Sequence, residues 1–314
     1  MAASISNASH AINMLGLIVN LFTLVVLSRF RTTKDYQSSF DTAQSALDLS
    51  INLLHYLSSF PLPTVPQMTQ WNHFYCRLFL SRALLWASTA LRAHLNLFVA
   101  THFFIKIALP FTRFSLRQRV PFWISMVISV YSFVLGSIPH LHSTTYMPKS
   151  FTCTSNKTAQ FSAHNSFGLT LRYLSLLVVV HNYLIPILTA SYIYHQLFYV
   201  LRRSTSKAFA VMKHELLIRF LLDVVCYTIC YSPAYWALFF GYYWDPSKLE
   251  TGSEKYNNIS FLTFFYPLLY PLISLFTRRS YRRPCEELLR QLCQPSKNSG
   301  DSSRISNTSR SSTR

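Results

Sequence analysis

Several ionisable residues sit where water cannot reach them. Arg92 lies deep in the apolar stretch Leu78–Pro110, and Asp48 lies inside the apolar stretch Phe40–Leu62. An ionised side chain near the centre of a bilayer costs roughly 2.5–3.5 kcal/mol on insertion scales, so Arg92 should face other helices and find a partner. Three further charges, Glu215, Arg219 and Asp223, are spaced four apart, and helical i,i+4 pairing along one face accounts for all three. An enzyme site would need a nucleophile, a base or a metal set gathered in one place. The 11 histidines are scattered, so no catalytic residues, metal or cofactor are expected. The chemistry this pattern suggests is charge pairing inside a membrane.

The elements that must position these groups follow from composition. The chain of 314 residues is 50% hydrophobic and only 13% charged, against roughly 25% charged in soluble domains. A membrane helix needs roughly 20 mostly apolar residues. Seven stretches qualify: Ile12–Phe30, Phe40–Leu62, Leu78–Pro110, Phe122–His140, Leu169–Leu201, Leu217–Tyr242 and Ile259–Phe276. The expected fold is all-α, a seven-transmembrane helix bundle. Residues 1–11 read as a short outer N-terminus, 12–277 as the bundle, 278–294 as an amphipathic juxtamembrane helix and 295–314 as a disordered Ser/Arg-rich tail. The first span reads as an uncleaved signal anchor. No half-to-half repeat of the kind transporters carry is visible.

The net charge of +18 is unevenly distributed. Arg29, Arg31 and Lys34, then Arg113, Arg117 and Arg119, then Arg202, Arg203, Lys207 and Lys213, and finally Arg278, Arg279, Arg282 and Arg283 all fall on one side of the spans. That is the positive-inside pattern, not a nucleic-acid patch, and it puts the N-terminus outside and the C-terminus in the cytoplasm. The sequons at Asn7, Asn156 and Asn258 fall on the expected outer face as glycosylation candidates, while Asn307 falls inside. Cys76 and Cys153 lie on the outer side, where a disulfide can form. Cys226 and Cys230 read as buried thiols. Cys285 and Cys293 are either palmitoylation candidates or unmodified tail thiols.

The order Pro271-Leu272-Ile273, Phe276, Tyr281-Arg282 resembles the end of the last transmembrane helix of a rhodopsin-like G-protein-coupled receptor. Other positions fit the same family. Asn20 matches the polar residue of its first helix, and Asp48 the carboxylate of its second. Trp71 before Cys76 looks like the tryptophan of its first outer loop. Pro186 and Tyr194 match landmarks of its fifth helix, and Cys230-Tyr231-Ser232-Pro233 looks like its sixth-helix switch. The resemblance covers Ile12 to roughly Cys293 and implies a Cys76–Cys153 disulfide. It also implies a plasma-membrane receptor that changes its helix tilts on binding an extracellular ligand. Prolines such as Pro233 would act as hinges, because each removes a backbone hydrogen bond.

The chain departs from the family at the positions expected to switch. Counted back from Pro110, His102-Phe103-Phe104 stands where an acid-Arg-Tyr triplet is usual; counted forward from Cys76, Thr101 takes the arginine's place, and either way Lys106 is the nearest cation. Tyr231 replaces Trp, Tyr270 replaces Asn and Ser274 replaces Tyr. Counted from Pro110, Arg92 falls beside Asp48, in the pocket where relatives hold sodium, and Tyr270 is expected to remove a polar group from it. The expected core pair is therefore Asp48 with Arg92, the alternative being Arg92 on backbone carbonyls. Ligand-cavity candidates are Arg82, Leu85, Arg172, His181 and Tyr235. Leu85 stands near the place where amine receptors need a carboxylate, and the loop His140–Asn165 has room for a hairpin around Cys153, so a neuropeptide-like ligand is expected. Transduction through a heterotrimeric G protein is one expectation. The other is a decoy, scavenger or arrestin-only receptor, whose tail carries Ser302, Ser303, Ser306, Ser311 and Ser312 for phosphorylation. Membrane lipids are partners in either case, and nucleic acid is not.

Overall fold

A computed structural model describes residues 2–29, 36–59, 69–80, 82–108, 127–128, 130–137, 144–147, 152–155, 166–203, 207–240 and 258–293. These residues are helical apart from one short hairpin. In chain order they form α1 (Ala2–Arg29), α2 (Tyr36–Ser59), α3 (Thr69–Tyr75), α4 (Ala83–Ala108) and α5 (residues 130–137). Strands β1 (Thr144–Met147) and β2 (Thr152–Ser155) follow, then α6 (Ser166–Val179), α7 (Ile185–Arg202), α8 (Lys207–Phe220) and α9 (Tyr227–Phe239). The last two helices are α10 (Tyr266–Thr277) and α11 (Arg279–Cys293).

Four helical stretches are long and apolar enough to cross a membrane: Ala8–Arg29, Tyr173–Arg202, Met212–Phe239 and Asn258–Thr277. They point to a membrane protein. Helices α2 and α4 have spanning length, 24 and 26 residues, but polar groups interrupt their apolar surface. On α2 those groups form a stripe. Asp41, Gln44, Asp48, Asn52 and His55 recur every three to four residues, and all are buried. In water such a stripe would face solvent; here α2 turns it onto α1, α4 and α10, while Leu53 points outward.

Proline shapes the other helices. The ring of Pro186 clashes with a regular helical turn before it, and the chain widens there into a π-helical turn over Val180–Leu184. Pro271 has no N–H to offer the carbonyl of Pro267, four residues back. That oxygen accepts instead from Asn20 Nδ2 at 2.6 Å and from Asn52 Nδ2 at 3.5 Å, so neighbouring helices satisfy the kink. Gly16 makes this possible. A methyl at Gly16 would stand 2.6 Å from Asn52 Nδ2, so glycine leaves room for the Asn52 amide in this position.

Two boundaries differ from the sequence expectation, and one agrees with it. Helix α1 begins at Ala2, so the first ten or so residues continue the helix instead of preceding it. The third apolar stretch is not one helix. A π-helical turn, Cys76–Leu80, leads to Arg82, whose φ of 61° lies in the left-handed region, and α4 starts at Ala83. Backbone strain of that kind is uncommon for a bulky residue. The last helix stops at Arg278, which is extended (φ −92°, ψ 127°) and turns the chain into α11.

Candidate functional site

The polar groups of α2 seed a network that runs through the bundle. Arg92 on α4 donates from Nε to Asp48 Oδ1 at 2.9 Å and from Nη2 to Asp48 Oδ2 at 3.3 Å, both residues fully buried. The guanidinium also donates to Asn96 Oδ1, one turn along α4. Its carbon lies 4.3 Å from the Tyr270 ring centroid and 5.4 Å from that of Tyr266. The cation is thus held by a bidentate carboxylate and lies between two aromatic faces, which suits a planar guanidinium better than an ammonium.

Asn96 carries the network onward. Its Oδ1 also accepts from Gln44 at 3.0 Å, and its Nδ2 donates to the Tyr266 hydroxyl at 3.1 Å and to the Asp223 carbonyl at 3.2 Å. That carbonyl belongs to a third π-helical turn, Leu221–Cys226, between α8 and α9. Asp223 itself turns toward α7, where the Tyr194 hydroxyl donates to Oδ2 at 2.9 Å. Its other oxygen, Oδ1, has no hydrogen-bond partner. Asp223 also lines a small cavity with Ala93, Asn96, Pro186, Ile187, Ala190 and Tyr227.

A second node lies at the α11 end. Asp41 Oδ1 accepts from Arg278 Nη2 at 2.5 Å and from Arg219 Nη2 at 3.3 Å. One carboxylate therefore joins α2, α8 and the α10–α11 corner. Tyr281 adds a hydrogen bond to the Asp41 carbonyl at 3.3 Å. The two nodes are joined through Tyr270, whose hydroxyl donates to Gln44 Oε1 at 2.8 Å and accepts from Arg278 Nη1 at 3.0 Å. Three buried aspartates, Asp41, Asp48 and Asp223, balance three buried arginines, Arg92, Arg219 and Arg278.

Several sequence expectations change here. Tyr270 does not remove a polar group from the core; its phenol reaches further than an Asn amide and bridges both nodes. Arg219 does not settle on its i,i+4 neighbour Asp223. Arg219 pairs with Asp41 and Asp223 accepts from Tyr194, with Asp223 in the π-helical turn that begins at Leu221. Lys106 is not the cation beside Phe103. The Arg219 guanidinium occupies that place, 4.5 Å from the Phe103 ring centroid. Arg278 reads in sequence as a charge ending the last span, yet its extended backbone folds its side chain inward, fully buried.

The remaining candidates spread over the molecule. His102 sits edge-on to Phe40, and Phe104 packs against the apolar cluster that includes Tyr194, Leu197 and Leu201. Cys230 and Tyr231 are buried beside Pro233 in α9, with Tyr231 4.6 Å from the Tyr227 ring. Ser274 is buried and its carbonyl accepts from the Arg278 N–H at 3.0 Å. Toward the other end, Tyr235 stacks on Tyr183 at 4.7 Å and meets the edge of Trp86 at 5.0 Å. Leu85 is buried, Arg82 half-buried. His181 stacks on His94 at 5.2 Å, with Tyr131 edge-on at 4.8 Å.

Cys76 is disulfide-bonded, and Cys226, Cys230, Cys285 and Cys293 are free. Cys153 stands in β2 opposite Tyr146 of β1, and β1 packs against the turn that begins at Cys76. Burial and the neighbouring Glu286 push the Cys285 thiol up, which lowers its thiolate fraction at neutral pH; Cys293 is exposed. Asn258 is exposed. The side chains of Asn7, Arg172 and Cys153, and all of Asn156 and the tail from residue 294, lie outside the described residues. No protein-family model matches the chain, and no curated protein sequence matches it.

Proposed function

We infer that this chain is a seven-span plasma-membrane receptor of the rhodopsin-like type, with its N-terminus outside and α11 on the cytoplasmic face. It would sense an extracellular ligand, a peptide by preference, and answer by rearranging its helices. The observation that carries this reading is the network itself. It ties α2, α4, α7, the α8–α9 helix and the α10–α11 corner into one buried set of ion pairs and hydrogen bonds. Breaking one contact of such a network leaves an uncompensated buried charge, so partial rearrangement is strongly unfavourable. The hinge elements lie beside it: the π-helical turn Leu221–Cys226, which holds Asp223, then Pro233, ten residues beyond Asp223. Pro271, which frees the Pro267 carbonyl to accept from Asn20 and Asn52, supplies the matching feature on α10.

A second reading rests on Phe103. The cation beside it comes from Arg219 on α8 and is tethered to Asp41, whereas relatives carry an arginine on the third helix itself. That favours a decoy, scavenger or arrestin-only receptor over one that drives nucleotide exchange. The test is a panel of G-protein dissociation sensors run beside arrestin recruitment in cells expressing the intact chain, first without ligand and then against a peptide library. A peptide that elicits either response supports the receptor reading, and G-protein dissociation sinks the decoy reading. Silence in both channels, with the chain at the cell surface, counts against signalling altogether.

A further inference from the structure

Two sets of unmet hydrogen-bonding groups face the same short stretch of helix. Arg219 is 1% exposed and uses only Nη2, on Asp41; its Nε and Nη1 have no acceptor. Asp223 is 2% exposed and uses only Oδ2, on Tyr194; its Oδ1 has no donor. The two residues are four apart, on consecutive turns, yet no hydrogen bond or ion pair joins them, and Asp223 lies in the π-helical turn Leu221–Cys226. Leaving such groups unpaired in a buried site is costly, so a conformation that pairs them has a built-in driving force.

The geometry points to Arg219 as a two-position switch: it bonds Asp41 across the helices when α8 is docked, and Asp223 on its own helix when α8 moves away. This rests on the receptor reading for its purpose but not for its physics. Without the second position, undocking α8 would strand a guanidinium in a poorly solvated site, and a broken buried pair is strongly unfavourable. With it, the cation is never uncompensated. Asp41 is not stranded either, because Arg278 remains on its Oδ1. The Phe103 ring under the guanidinium gives the side chain an apolar surface to slide over. Return of the π-helical turn to α-helical register would bring Asp223 round to the face of Arg219, completing the exchange.

The experiment uses the full chain in lipid nanodiscs, with its four free cysteines replaced by alanine and spin labels at Lys106→Cys on α4 and Met212→Cys on α8. Pulsed dipolar spectroscopy then reads the populations of short and long α4–α8 distances, with no ligand or transducer present. Asp41→Asn should raise the long-to-short ratio about tenfold and Asp223→Asn should lower it by a similar factor, the size of an ordinary coupling between two states. In an Arg219→Met background both effects should vanish. Asp223→Glu, which keeps the charge and lengthens its reach, should raise the ratio and serves where Asp41→Asn fails to fold. Shifts in the same direction for Asp41→Asn and Asp223→Asn, equal effects of Asp223→Asn and Asp223→Glu, unchanged distributions throughout, or effects that persist in the Arg219→Met background would overturn the switch. Because no signalling is read, a silent chain in the sensor panel leaves this result standing, and the converse also holds.

Discussion

The two ends of the bundle are built from different physics. Around Asp41, three elements meet on one carboxylate, and the groups that hold them are charged, directional and fully buried. Around Tyr235, the helices meet through rings: Trp86, Tyr183, Tyr231 and Tyr227 pack edge-on, stacked or tilted at 4.6–5.0 Å. Ring packing of that kind yields gradually and tolerates small shifts, since each contact contributes about 0.5–1.5 kcal/mol beyond its area. Ion pairs at the other end hold or break. The difference teaches where a discrete change of state can be stored: at the Asp41 node, not in the aromatic half.

Breaking the charged end should have the largest effect. Asp41→Leu leaves Arg219 and Arg278 buried together without their carboxylate, and should destabilise the chain by about 3–5 kcal/mol or abolish folded yield; fluorescence-detected size-exclusion after heating measures it. Next comes the Asp48–Arg92 pair. Arg92→Leu alone should lower folded surface yield more than Arg92→Leu with Asp48→Leu, because the double change leaves no unpaired charge. Equal yields would mean that the pair is not what holds Arg92. A smaller contrast compares one phenol from each network edge. Tyr270→Phe loses bonds to both Gln44 and Arg278 and should cost about 1–3 kcal/mol, whereas Tyr227→Phe loses one 3.3 Å bond to the Thr89 carbonyl and should cost under about 1 kcal/mol. The smallest effect is expected on the surface of α11. Arg282 and Glu286 form an exposed i,i+4 pair at 3.2 Å, and Arg282→Ala should change melting by no more than about 0.5 kcal/mol.

Much of the core was legible from residue types alone. Arg92 in an apolar span demands a partner, and Asp48 in the preceding span is one. The stripe Asp41, Gln44, Asp48, Asn52 and His55 was also there to be read, since its three- and four-residue spacing puts all five on one face of α2. Asp41 lies two turns from Asp48 on that face, which was the available signal for the second node. Other features had no such signal. A π-helical turn has no residue signature at Leu221–Cys226, so Arg219 and Asp223 look like an ordinary i,i+4 pair. Arg278 looks like a stop charge because its inward path depends on one extended backbone residue. The cation beside Phe103 comes from Arg219, more than a hundred residues away in sequence, which residue-by-residue matching does not reveal.

The most direct test of the charged node is a double-mutant cycle on Asp41 and Arg219, using Asp41→Asn and Arg219→Met in the intact chain and reading melting in detergent. If one buried carboxylate ties α2 to α8, the two changes should be coupled by at least about 1 kcal/mol. Simple additivity of the two losses would contradict the account.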